Sequence, residues 1–190
     1  MEKGKLLIFS APSGSGKTTL VNHLRAEIPT IAFSVSATTR APRGTEQNGV
    51  EYYFMSLEEF HQRVENDEFL EWQEVYPGRC YGTLKAVVEK MREQGLHVAF
   101  DVDVVGGTNI KKFYGDDALS VFIQAPSIEV LRERLVGRQT DSTEEIEKRL
   151  AKADWEMNFA KDKFDITIIN DDLETAKRDI LEAVQKFIEQ

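Results

Sequence analysis

The chain has 190 residues, enough for one domain with a sizeable buried core, and its 41% hydrophobic and 30% charged residues fit an ordinary globular protein. A formal net charge of −9 excludes broad binding to nucleic acid or to an anionic membrane, so any anionic ligand must meet a local cluster of cations. No run approaches the roughly 20 apolar residues of a membrane span. The single cysteine, Cys80, and the lack of an export signal lead us to expect a reducing cytoplasm.

Lys5 to Ser10 is a short apolar run that reads as a buried parallel strand. A helix is expected from near Gly16 to about Glu27, stopped by Pro29. Ala32 to Ala37 alternates as a strand does, and so does Val50 to Met55 after the turn signal Asn48-Gly49. Ser56 and Glu59 form a capping-box pattern that should open a helix running to about Asn66. Phe69 to Tyr76 is strand-like and Pro77-Gly78 turns the chain. Thr83 to Gln94 has helical apolar spacing, with Gly95 placed to cap it. Strands are expected at His97 to Val102, Leu119 to Gln124 and Phe164 to Ile169. Helices are expected at Ser127 to Val136, Ser142 to Phe159 (with a Ser142/Glu145 capping box) and Leu173 to Ile188. This alternation predicts an α/β fold with a parallel sheet, interrupted between Ser34 and Gly82 by what reads as an inserted antiparallel lobe.

The strongest chemical signal is Ala11-Pro12-Ser13-Gly14-Ser15-Gly16-Lys17-Thr18, between a predicted strand and a predicted helix. Gly14 and Gly16 let backbone amides turn toward phosphate oxygens, the helix N-terminus adds partial positive charge, and Lys17 adds a full one. Thr18 can offer its hydroxyl to a magnesium ion bridging nucleotide phosphates. The usual pattern begins with Gly where this chain has Ala11, which is harmless if that position needs no positive φ. By itself the loop says only that a nucleoside triphosphate binds. Arg40 and Arg43, three residues apart beside Pro42, suit bidentate binding of a monophosphate, although a solvated surface pair is the commoner fate of such residues.

Ser34-Val35-Ser36-Ala37-Thr38-Thr39-Arg40-Ala41-Pro42-Arg43 resembles the GMP-binding segment of guanylate kinases. Further motifs agree in order and spacing: Asn48 to Phe54, Phe69-Leu70-Glu71-Trp72, Tyr81-Gly82-Thr83, Asp101-Val102-Asp103 and Ile169 to Leu173. The resemblance covers nearly the whole chain. It implies a P-loop kinase fold, with a parallel sheet flanked by helices (about 1–33, 83–125 and 164–190), an inserted GMP-binding lobe (about 34–82) and a helical lid (about 126–163). It implies ATP contacts from Ser13, Gly14, Ser15, Gly16, Lys17, Thr18 and Thr19, with Arg134 and Asn170 on the adenine side. Tyr52 and Tyr81 would join Arg40 and Arg43 on the GMP phosphate. Glu71 would accept from the guanine N1–H and amine, Ser36 and Thr83 would donate to O6, and Asp103 would accept on the amine side. Asp101 would hold Mg²⁺ through water, alongside Thr18. Arg138 and Arg149 would reach the transferring phosphoryl group from the lid.

Other readings stand beside these. Glu71 could face outward on a half-exposed strand, Asp101 and Asp103 could be strand-end or helix-capping carboxylates, and the lid arginines could pair with Glu129, Glu133 and Glu145. The sequence departs from the family at Val105, Gln139 and Cys80, none of them assigned to phosphate transfer. The implied reaction is ATP + GMP to ADP + GDP, with dGMP a second candidate acceptor and neither nucleic acid nor membrane as partner. Its rivals are a P-loop kinase for another small phosphate and a non-catalytic protein-binding module.

Overall fold

The computed structural model describes residues 3–137 and 142–190. In chain order these form β1 (Leu6–Ser10), α1 (Lys17–Glu27), β2 (Ile31–Phe33), β3 (Ala37–Thr38), β4 (Tyr53–Phe54), α2 (Leu57–Glu65), β5 (Phe69–Tyr76), β6 (Arg79–Leu84), α3 (Lys85–Glu93), β7 (His97–Asp101) and α4 (Val104–Tyr114). A short 3₁₀ turn (Gly115–Asp117), β8 (Ala118–Gln124), α5 (Ile128–Gly137), α6 (Thr143–Ala160), β9 (Ile166–Ile169) and α7 (Leu173–Ile188) follow.

Five strands make an all-parallel sheet in the order β2-β7-β1-β8-β9. β1 lies at its centre and is buried along its whole length, which is why it reads as an unbroken apolar run. Its side chains alternate between two cores. Leu7 and Phe9 pack with Leu20, Leu24, Ile180 and Val184 on the α1/α7 side, while Leu6 and Ile8 pack with Val88, Phe100 and Ile110 on the α3/α4 side. α5 and α6 pack on each other through Leu131, Leu135, Ile146 and Leu150. No helix among the described residues is long and apolar enough to cross a membrane.

The second sheet has the order β4-β3-β6-β5 and its own small core of Ala37, Phe60, Phe69, Cys80 and Leu84. It is mixed rather than antiparallel, because β3 runs parallel to β4. The single strand expected over Ala32 to Ala37 is two strands in two sheets. Ser34 N–H still bonds to Ala99 of β7, whereas the Ser36 carbonyl already accepts from Tyr53, so the backbone changes partner within two residues. Of Val50 to Met55 only Tyr53–Phe54 is strand, since Val50 closes a turn on Gln47. Thr83 and Leu84 end β6 instead of starting a helix: pairing with β5 overrides their helical spacing. The Ser56 hydroxyl accepts from Glu59 N–H, but the Glu59 carboxylate turns to Arg63 instead of closing the box. At Ser142 the complete capping box forms.

α4 has no counterpart in the sequence reading. Gly106, Gly107 and three β-branched neighbours (Val104, Val105 and Thr108) give it poor intrinsic propensity. What starts it is Asp103, whose Oδ1 accepts from Gly106 N–H at 2.7 Å. Asp103 therefore lies past the end of β7 and does not share a strand face with Asp101.

Candidate active site

The turn from β1 into α1 needs left-handed backbone at two places, Gly14 (φ 93°) and Gly16 (φ 91°). Ala11 is not among the positive-φ residues, so its methyl group replaces the usual glycine without strain. Ser15 N–H closes the turn on the Pro12 carbonyl at 3.1 Å. No side chain caps α1 and its first turn holds no acidic residue, so its leading amides and positive dipole end are left for an anion. Ser13, Gly14, Gly16, Lys17, Thr18 and Thr19 line a cavity of about 450 Å³ over this turn. Ser15 is buried beneath it.

Lys17 reaches across the cavity to an ion pair with Asp101 at the end of β7. Asp101 and Thr18 line the same cavity and offer a carboxylate and a hydroxyl. These hard oxygen donors fit Mg²⁺, which binds through one or two carboxylates and keeps water and phosphate as its other ligands. From α6, Arg149 donates to Ser13 Oγ at 3.1 Å. From α5, Arg134 donates to the Asn170 carbonyl at 2.8 Å, and the Asn170 side chain donates to the Ser15 carbonyl at 2.8 Å. Arg138 and Gln139 lie outside the described residues.

Two smaller cavities open on the other side of Asp101. Ser36, Tyr52, Glu71, Tyr81 and Asp103 line one of about 200 Å³; Ser34, Ser36, Tyr52 and Thr83 line its neighbour of about 270 Å³. All three cavities share Asp101 and Val102, so the strand end of β7 is the wall between the loop and the second sheet. This is the carboxyl end of a parallel strand, where ligands gather in open α/β sheets.

Glu71 and Thr83 are direct cross-strand partners in the β5–β6 hairpin, and the Thr83 hydroxyl donates to Glu71 Oε1 at 2.7 Å. Burial pushes the Glu71 carboxyl above the ordinary glutamate value; the Thr83 hydrogen bond opposes this and the Asp103 charge adds to it. The outward-facing reading of Glu71 fails, because its neighbour Trp72 is the exposed residue, at 46%. Arg40 lies over the rings of Tyr52 and Phe54, 5.2 and 5.8 Å from their centroids, and Tyr52 and Tyr81 pack 5.9 Å apart. Arg43 stays on the exposed loop and lines none of these cavities.

Three residues at the site escaped the sequence reading. Glu46 takes the Arg40 fork in a bidentate pair at 2.9 and 3.0 Å and also accepts from Arg43 N–H at 2.7 Å. That bond network holds the Glu46 carboxyl below its usual range and pushes Arg40 up. Its signal was present, as the only carboxylate between Arg40 and Asn48. Lys152 and Glu156 follow Arg149 along the face of α6 that lines the large cavity, with 3.7 Å between Lys152 Nζ and Glu156 Oε1. Helical spacing from Arg149 points to both. Burial raises the Glu156 carboxyl, with Lys152 opposing.

A family model described as guanylate kinase matches residues 3–190 of this chain. The guanylate kinase of Bacteroides thetaiotaomicron is 60% identical over 185 residues, which cover 97% of this chain and 90% of that one. The guanylate kinase of Porphyromonas gingivalis is 52% identical over 185 residues, covering 97% and 98%. Among solved structures, the crystal structure of guanylate kinase from Anaplasma phagocytophilum superposes with a TM-score of 0.71 at 29% identity, covering all of this chain and 89% of that chain.

Proposed function

The chain belongs to the guanylate kinase family and phosphorylates GMP to GDP with ATP as donor, and from that premise we propose how its residues divide the work. The observation that carries this reading is the shared wall Asp101-Val102: one large cavity over a phosphate loop and a smaller, carboxylate-bearing pocket meet there. The 450 Å³ cavity takes the ATP phosphates on the loop amides and Lys17, with Arg134 toward the adenine and Asn170 beside the loop. The second sheet is the GMP lobe, and α5 with α6 is the lid.

In the acceptor pocket, Glu71 accepts from guanine N1–H and the exocyclic amine, a pair of donors that adenine lacks. Ser36 and Asp103 flank it, and Thr83 holds the carboxylate in place. Arg40, Tyr52 and Tyr81 take the GMP phosphate, and Arg43 swings in from its loop. None of these residues reads the ribose 2′-hydroxyl, so dGMP is a second acceptor on this reading. A GMP phosphate oxygen attacks the γ-phosphorus of ATP, the new P–O bond forms as the bond to the β-phosphate oxygen breaks, and ADP leaves. No side chain acts as nucleophile. Lys17, Arg149 and Arg138 neutralise the charge spread over the transferring group. Thr18 and Asp101 would hold Mg²⁺, which would supply charge neutralisation at the phosphates when bound. Lys17 exchanges its Asp101 partner for phosphate when ATP arrives, which frees that carboxylate. A cytoplasmic location is proposed from the single thiol, Cys80, which is buried and unpaired.

The test is a coupled ADP-release assay with ATP and Mg²⁺ that offers GMP, AMP, UMP and CMP in turn. Turnover confined to GMP is expected; turnover with another monophosphate defeats the role given to Glu71. Lys17→Ala should keep its fold and lose most turnover, by two orders of magnitude or more (about 3 kcal/mol of charge stabilisation). Near-normal turnover in that variant defeats the loop assignment.

A further inference from the structure

Asn170 is fixed at three points. Directly after β9, its N–H donates to the Gln124 carbonyl at 2.8 Å, which holds it to the end of β8. Its own carbonyl accepts from Arg134 of α5. Its side-chain Nδ2 donates to the Ser15 carbonyl, and the residue is only 6% exposed. The approach to the loop is close enough that a Cβ at Gly16 would collide with that same nitrogen. Gly16 and Asn170 thus interlock: the missing side chain of one makes room for the amide of the other.

The hydrogen bond falls on a peptide unit that matters. Ser15 C=O and Gly16 N–H belong to one planar trans peptide, so the two groups point in opposite directions. Holding the carbonyl inward against Asn170 therefore turns the Gly16 amide outward, toward the cavity that Gly16 lines. Gly16 has φ 91° and no side chain to fix its torsions, so without the bond this peptide could rotate at little steric cost. The bond commits one of the two Nδ2 hydrogens to the loop.

We propose that Asn170 is a positioning residue of the phosphate loop: it pins the Ser15 carbonyl and so aims the Gly16 amide at the donor nucleotide's phosphates, whatever base they carry. This rests on the reading of the loop as the ATP site.

The test separates phosphate from base by using a ligand without a base. Calorimetry measures the binding of ATP and of inorganic tripolyphosphate to the unaltered chain, to Asn170→Ala and to Asn170→Leu, which fills the same volume without a donor. GMP binding in each variant reports whether the rest of the fold is intact. Both variants should lose affinity for ATP and for tripolyphosphate by the same factor, about tenfold for one hydrogen bond left unmade, with GMP binding unchanged. Weaker ATP binding with unchanged tripolyphosphate binding would make Asn170 an adenine reader and overturn the proposal. Unchanged binding of both ligands, or loss of GMP binding in both variants, would reduce it to packing. If the unaltered chain binds no ATP, the loop reading falls first and this inference with it.

Discussion

At Glu71 the folded protein buries a carboxyl group at a cost. The carboxyl is pushed up by burial, so between the ordinary glutamate value and the raised one the folded state holds a proton that the unfolded chain has released. With respect to this group the ligand-free protein is therefore most stable below the ordinary value, and loses that stability as pH rises through the raised one. Glu71→Gln keeps an acceptor for Thr83 and removes the charge, so it should raise the melting temperature of the ligand-free protein at pH about 8 and change it little near pH about 4. The same variant turns an amide donor toward the guanine donors and should weaken GMP binding by about tenfold or more. A melting point at pH about 8 below that of the unaltered chain would refute the burial argument. Glu46 makes the complementary case, a carboxylate that shapes the site without touching the base. Glu46→Gln breaks the bidentate hold on Arg40, so KM for GMP should rise about tenfold while KM for ATP stays put. An equal rise in both constants would point to general damage. The phosphate loop was legible in the sequence because its chemistry lies in eight consecutive residues. Glu46 was not read, because it matters only once the loop from Arg40 folds back on it, and the brace from Asn170 to Ser15 joins residues at opposite ends of the chain.

Among the elements, α4 shows why local propensity misled. Its two glycines argue against a helix, yet Gly107 is what lets the helix lie against β1. A Cβ on Gly107 would stand 2.9 Å from Ser10 Oγ and 3.2 Å from Ile8 Cγ2. Ser10 has little freedom to yield, because its one hydroxyl hydrogen is already shared between the Val102 and Asp103 carbonyls. Two effects compete in Gly107→Ala. Helix propensity favours alanine by about 1 kcal/mol, whereas forcing a methyl group into a filled core costs about 1–3 kcal/mol. The second should win, so urea denaturation should show a net loss of about 1 kcal/mol. Gly137→Ala is the control: it ends α5 with nothing among the described residues within 4 Å of the added Cβ and should be neutral or stabilising. A stabilised Gly107→Ala would mean that α4 can shift away from β1. The helix matters to the site because its N-cap is Asp103, and a Cβ on Gly106 would lie 3.5 Å from Glu71 Oε2. The strands of the parallel sheet could be read ahead of the structure because burial on both faces leaves continuous apolar runs. The break between β2 and β3 could not, since Ser34-Val35-Ser36 continues the same alternation while the backbone bonds pass from one sheet to the other.

For the whole molecule, the site as it stands is too open to react. Asp101, at the wall between the cavities, has a side chain 50% exposed, and Lys152 on α6 is 67% exposed. Phosphoryl transfer to GMP instead of water requires reacting atoms about 3–3.5 Å apart in a site from which water is excluded. Two parts of the chain have the build of separate bodies. The second sheet and the α5/α6 pair each have a core of their own, and each joins the main sheet through short connectors. For the second sheet these are Ser34 to Ser36 and the junction of Leu84 with Lys85. Hinging at such connectors brings the two bodies together over Asp101 without unpacking either core. On the proposed reading charge would provide the drive: GMP phosphate would draw on Arg40 of one body, and ATP phosphate on Arg149 and Lys152, both on α6 of the other. Small-angle scattering should therefore show the radius of gyration falling by about 1 Å, toward the ~16 Å of a compact chain of this length, when GMP and a non-hydrolysable ATP analogue bind together. Either ligand alone should produce only part of that fall, because each pulls on one body. An unchanged radius, with calorimetry showing both ligands bound, would mean that the open cleft is the reacting form, and water would then have to be kept out by the ligands themselves.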